Sequence, residues 1–194
     1  MRRILLALVA AIVLAACSQG GQDQGSAPAT PAPNDADVTF TQNMIPHHQQ
    51  AIDMAKLADS HTQRPELLQL ADSIVTSQGQ EITQLQGWLR SWGKPEMAME
   101  GMEGMDQGSM EMPGSMSEAD MSRLMDLEDT KFDLAFVEMM AEHHQGAIDM
   151  AKVELQDGSL PEVKQLAQQV IDAQQQEIGQ LQQWKEEWST PANR

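Results

Sequence analysis

The chain is poor in cysteine, aromatic and basic residues. A single cysteine among 194 residues excludes a disulfide framework and a cysteine-rich zinc site. Lys and Arg number 12 against 29 Asp and Glu, a formal net charge of −17. That balance argues against nucleic acid as a partner, because its binding needs a basic patch to displace counterions. It also opposes charge-driven docking on anionic lipid, and it suits cations. Tyrosine is absent, and three Phe and four Trp are the only other aromatic carbocycles. Glycine-rich phosphate loops and nucleophile elbows do not occur. Methionine is the exception to this poverty, at 15 residues.

Residues 1–16 read as a secretory signal peptide. Arg2 and Arg3 precede an apolar run over 4–16 that is too short for a comfortable membrane span. The run ends Leu14-Ala15-Ala16-Cys17, which resembles a bacterial lipobox. The resemblance implies cleavage before Cys17, a lipid on its thiol and attachment to a membrane. The alternative is an ordinary signal followed by a chance cysteine. Ser18 follows, and similarity to sorted lipoproteins implies the periplasmic side of the outer membrane. Residues 17–36 hold no apolar residue larger than Ala or Pro beyond the cysteine, which predicts a flexible tether.

The remainder is a duplication. Shifted by 96 positions, residues 40–92 overlie 136–188 without a gap, with 25 of 53 positions identical. The first core is MIPHHQQAIDMAK and the second MAEHHQGAIDMAK. Each copy continues into Pro-Glu, at Pro65-Glu66 and Pro161-Glu162, and then an amphipathic stretch. Proline suits the first turn of a helix. Leu67, Leu70, Ile74, Leu85, Trp88 and Trp92 fall on one face of that stretch. One hairpin cannot cover its own apolar stripe, but two can cover each other. The predicted fold is all-α, a duplicated helical hairpin forming a four-helix bundle. The hairpins span 37–93 and 117–189, with a methionine-rich loop over 94–116, and 37–189 form one domain. The third helix is expected to start near Ser117 and run through the second His-His. Pro46 is expected to start or kink the first helix.

At about 100° per residue, Met44, His47, His48, Ala51 and Met54 share the inward face of the first helix. Met140, His143, His144, Ala147 and Met150 do the same in the second copy. Glu81 and Glu177 fall near the centres of their own apolar stripes, with Gln78 and Gln174 one turn earlier. A carboxylate there is costly unless it is paired or bound to a cation. Imidazole, thioether and carboxylate could thus converge from two helices, as in a metal site. Buried His–Glu pairs without metal, and methionines that merely pack, are the alternatives. Asp53 and Asp149 point away and are expected to be solvated or paired with Lys56 and Lys152.

Between the copies, Met97, Met99, Met102, Met105, Met110, Met112, Met116 and Met121 place eight methionines in 25 residues. Glycine and proline punctuate the stretch, so it is expected to be disordered without a partner. The short spacings among Met97, Met99, Met102, Met105, Met110 and Met112 can chelate, and thioethers prefer Cu(I) or Ag(I) to harder ions. A bland linker or a plastic apolar surface is the alternative.

The F-x(3)-M-x-x-HH-x-x-AIDMA pattern resembles the bacterial domain-of-unknown-function family 305 from about Asp37 to Ser189. The resemblance implies a ferritin-like four-helix bundle and an association with periplasmic copper. The positions it implies are Met44, His47, His48, Met54, Met140, His143, His144 and Met150, with Glu81 and Glu177 matched less closely. Neither half carries the Glu-x-x-His of a di-iron site, since Met44 and Met140 stand where the glutamate would be.

The expectation is a lipid-anchored extracytoplasmic protein, not an enzyme, that binds copper as Cu(I) or Cu(II), with silver as a further candidate. It would sequester the metal or hand it to other periplasmic copper proteins. The rival readings are a metal-free helical interaction module and a di-metal redox enzyme. Ordinary imidazole acidity implies affinity that weakens below about pH 6 at the histidine sites.

Overall fold

The computed structural model describes residues 31–96 and 112–190. Cys17, Met97, Met99, Met102, Met105 and Met110 lie outside the described residues. Five helices follow one another: α1 (Asp35–His61), α2 (Pro65–Trp92), α3 (Glu118–Met125), α4 (Asp129–Asp157) and α5 (Pro161–Ser189). The fold is the all-α bundle of two hairpins, α1–α2 and α4–α5. No described helix is long and apolar enough to cross a membrane.

Three expectations need correction. First, α1 begins at Asp35, inside the stretch assigned to the tether. Asn34 Oδ1 accepts from the Asp37 amide at 2.9 Å, and Asp37 Oδ2 accepts from the Asn34 amide at 2.7 Å. This reciprocal cap satisfies two otherwise orphaned donors and starts the helix there. Second, Pro46 does not start α1 but lies inside it, eleven residues after Asp35. The missing amide removes one bond of the ladder, and packing of the face around it holds the helix through. Third, α3 and α4 are separate. Ser117 caps α3 with Asp120, and the chain turns at Asp126 before α4 starts at Asp129, whose φ is 52°. Acidic residues at 126, 128 and 129 suit the positive end of a new helix better than the middle of an old one.

Proline opens α2 and α5 as expected, and Gly93 closes α2 in the left-handed region at φ 64°. The two hairpins meet through α1 and α4. Ala51, Ala55, Ala58, Ala147 and Ala151 are all buried along these helices. Short side chains let the two backbones approach.

The corners show the pseudo-two-fold relation. Asp37 on α1 accepts from the amides of Ser159 and Leu160, each at 3.0 Å, at the head of α5. Its partner by the repeat, Asp133 on α4, accepts from Arg64 Nε at 2.7 Å at the head of α2. Each copy's first helix therefore fastens the other copy's turn. Arg64 also lies 4.2 Å over the Trp188 ring, a cation–π contact.

Two apolar clusters fill the interior. One holds Met54, Leu67, Ile74, Phe132, Phe136 and Met140. The other holds Phe40, Met44, Leu85, Val163, Leu166 and Val170. Along α1 the chain passes from the second cluster at Met44 to the first at Ala51 and Met54. Along α4 it passes the opposite way, from Met140 to Ala147. The paired histidines stand at this boundary in both helices.

Candidate metal centre

His47, His48, His143 and His144 have no solvent exposure. The rings of His47 and His143 meet across the α1–α4 contact with centroids 3.8 Å apart and planes 39° apart. Outward from this pair, His144 Nε2 lies 2.6 Å from Glu177 Oε2 on α5, aligned as a hydrogen bond. His48 Nε2 lies 2.6 Å from Glu81 Oε2 on α2, without that alignment. Glu81 and Glu177 keep 22% and 20% of their side-chain exposure, so each links a buried ring to solvent. The structure brings each of the two stripe carboxylates to one histidine of its own hairpin. Glu177 also lines a polar groove of about 320 Å³ with Glu66, Gln69, Ser73, Gln176 and Gln180.

The nitrogens divide by position. His47 Nε2 lies 3.1 Å from the Pro113 carbonyl oxygen. A carbonyl only accepts, so this ring carries its proton on Nε2. The carboxylate of Glu177 sets the same tautomer at His144. The Nδ1 atoms of all four rings are buried and without a hydrogen-bond partner, as is His143 Nε2. Buried polar atoms are normally satisfied. A histidine that ligates a metal normally donates its other N–H to a carboxylate or carbonyl. His47 and His144 have that arrangement, with Nδ1 left as the free donor atom. Gln78 and Gln174 are also buried, each with an unpartnered Oε1.

Burial and the neighbouring His48 push the His47 pKa down to about 3. Burial and His47 hold His143 well below its ordinary value. Both rings are neutral at ordinary pH, with lone pairs available. The proton competition expected from ordinary imidazoles near pH 6 therefore does not apply to this central pair.

The methionines divide too. Met44, Met54 and Met140 are fully buried, with Met44 and Met140 one turn before their histidines. Met150 departs from the inward placement expected of it. It is only half-buried and borders a cavity with Phe40, Val153 and Glu154. The repeat places Ala58 where the other copy has Glu154, and Glu154 lines the same cavity as Met150. Among the described residues, no three His, Cys, Asp or Glu side chains converge as a metal-holding group. Met44, Met54 and Met140 are the buried thioethers of the same two helices, a donor type that suits soft ions. Asp149 pairs with Lys152 at 3.1 Å, whereas Asp53 accepts from Gln49 at 2.9 Å; both are exposed.

Residues 112–116, expected to be disordered, are ordered against the histidines. Gln50 Nε2 donates to the Met116 carbonyl at 2.9 Å, and the Met116 amide donates back to Gln50 Oε1 at 2.8 Å. Met116 is buried and Met112 half-buried. The sequence reading missed Pro113, Gln50 and Gly146. The available signal was a difference between the copies, HHQQ against HHQG, at the position just before the shared AIDMAK. The fifth histidine, His61, is a structural residue. It stacks on Phe132 at 5.0 Å, and its nitrogens lie 2.7 Å and 3.1 Å from the carbonyls of Leu57 and Met125.

Residues 37–185 match the family described as domain of unknown function (DUF305). The chain belongs to the DUF305 family. Residues 1–18 match the prokaryotic membrane lipoprotein lipid attachment site. A DUF305 fragment from Deinococcus radiodurans is 30% identical with a TM-score of 0.71, covering 81% of this chain and 99% of that one. CopM in its Cu(II)-bound form is 36% identical with a TM-score of 0.67, covering 78% and 97%. CopM in its Cu(I)-bound form is 32% identical with a TM-score of 0.66, covering 79% and 98%, and CopM is also solved in an Ag-bound form. No curated protein matches the chain.

Proposed function

We propose that this DUF305 protein is a lipid-anchored, extracytoplasmic binder of soft metal ions, copper first and silver second. In this reading it sequesters the ion or passes it to other periplasmic copper proteins and performs no catalysis. The observation that carries the reading is the set of buried imidazoles whose Nδ1 atoms lack any partner. A stable, metal-free core would have no use for so many unsatisfied nitrogens in one layer. The copper- and silver-bound forms of CopM support the same reading by likeness.

Each half supplies two adjacent imidazoles and a buried thioether one turn earlier, at Met44 or Met140. Glu177 accepts from His144 Nε2 and fixes that ring's orientation, and Glu81 faces His48 Nε2 at 2.6 Å. Met54 and the half-buried Met150, about two turns beyond the histidines, are further sulfur donors in this reading. Met97, Met99, Met102, Met105, Met110 and Met112 act as an outer collector of Cu(I) in this reading. Cys17 carries the lipid, and the membrane is the outer one, facing the periplasm. The working domain is 35–189, with 17–34 as its tether.

The test is a Cu(I) titration under a competing chelator. The intact protein is compared with a variant lacking His47, His48, His143, His144 and the six collector methionines. Tighter binding by the intact protein is expected. Equal binding by the two rejects the function. A third protein lacking only the four histidines divides the affinity between bundle and collector.

A further inference from the structure

Two residues after the histidines the copies differ, Gln50 in the first against Gly146 in the second, and a single chain segment uses the difference. Residues 112–116 cross from one copy to the other over this position. In the first copy it is Gln50, which clamps the Met116 backbone through both its amide atoms. In the second copy it is Gly146. A Cβ on Gly146 would stand 1.8 Å from the Pro113 carbonyl oxygen, a contact no side chain can make. Gly114 completes the crossing at φ 74°, where a Cβ would stand 2.7 Å from the Glu142 carbonyl oxygen. The result of the close approach is that the Pro113 carbonyl accepts from His47 Nε2 at 3.1 Å.

We propose that Gln50 and Gly146 are positioning residues, and that the strap they hold, residues 112–116, orients His47 for a soft metal ion. This rests on the metal-binding reading above and adds a regulation of that site. With its Nε2 proton given to Pro113, His47 presents Nδ1 to the ion. Ligation at Nδ1 makes the Nε2 proton a better donor, so the ion and the strap stabilise each other. The coupling is reciprocal by thermodynamic necessity: what loosens the strap weakens the metal, and the metal tightens the strap. The strap is the C-terminal end of the methionine-rich loop, so metal in the bundle also fixes where that loop ends. The corresponding ring in the second copy, His143, has no such acceptor on either nitrogen. The two half-sites are thereby unequal despite their common origin.

Gly146→Ala and Gln50→Ala test this in the intact protein, with Ag(I) as the probe ion. Nitrogen-15 spectra of the metal-free wild type are expected to show His47 held with its proton on Nε2. Ag(I) is expected to slow hydrogen exchange at the Met116 amide. Both variants are expected to lose the single tautomer and to bind Ag(I) roughly tenfold more weakly or worse. Should Gly146→Ala not fold, Gln50→Ala decides, since it only removes two hydrogen bonds at a partly buried side chain. Wild-type Ag(I) affinity in the folded variants overturns the strap and leaves the metal-binding reading intact. An absence of Ag(I) binding by the wild type overturns both.

Discussion

His47 and His143 are the same residue of two copies, and they touch each other at the pseudo-two-fold axis with ring centroids 3.8 Å apart. Neither can be protonated without placing a charge in a buried layer beside three other imidazoles.

This contact sets an acid limit on stability. The folded-state pKa of His47 is depressed to about 3, and that of His143 is also well below its ordinary value of 6.5. The unfolded chain then binds more protons than the native one below about pH 6.5, so stability is full above that pH and falls as pH drops. Denaturant titrations from pH 7 to 4 should show a loss approaching about 1.4 kcal/mol per pH unit for each ring. His143→Gln should reduce the slope.

Glu154 works in the opposite direction. Burial, followed by the nearby Asp37 carboxylate, raises its pKa from 4.5 to about 8. The native state therefore holds a proton that the unfolded state releases. Its contribution is full below about pH 4.5 and is lost as pH rises through 8. Glu154→Gln should give a melting temperature that no longer declines between pH 6 and 9.

The carboxylates behind the rings should matter unequally. Glu177→Ala removes an aligned hydrogen bond to His144, whereas Glu81→Ala removes a contact without that alignment. Cu(I) competition should show a loss of roughly 10–100-fold for Glu177→Ala and a smaller one for Glu81→Ala. Equal losses would contradict the geometric difference.

Sulfur can be tested apart from packing. Met44→Leu and Met140→Leu nearly conserve volume, so each should cost less than about 1.5 kcal/mol in denaturant unfolding. If the thioethers are ligands, Cu(I) affinity should fall in both while thermal stability of the metal-free protein barely changes.

Arg64 should prove structural. It pairs at 2.7 Å with Asp133, which is nearly buried, and covers Trp188. Arg64→Ala leaves that carboxylate without its cation, and a loss of about 3 kcal/mol in denaturant unfolding is expected.

The duplication made the hairpins readable, because 3.6-residue periodicity and the twin Pro-Glu starts are local signals. Glu81 and Glu177 were readable because a charge in an apolar stripe demands a partner. The strap was not, since its partners, Gln50 and Gly146, lie far away in sequence and mean nothing until the copies are docked. The start of α1 turned on Asn34 and Asp37, a cap hidden inside a stretch whose composition suggested only a tether. Met150 was misplaced because a helical wheel assigns direction but not the depth at which a neighbouring helix covers it.

The crossed corners also constrain how the chain reaches this state. Asp37 grips the turn 122 residues downstream, and Asp133 holds Arg64 from the earlier turn 69 residues upstream. Neither hairpin is finished by its own atoms. The halves therefore belong to one cooperative unit, and a backbone cut between them should leave two pieces that remain clasped, because each still carries the other's missing fastening.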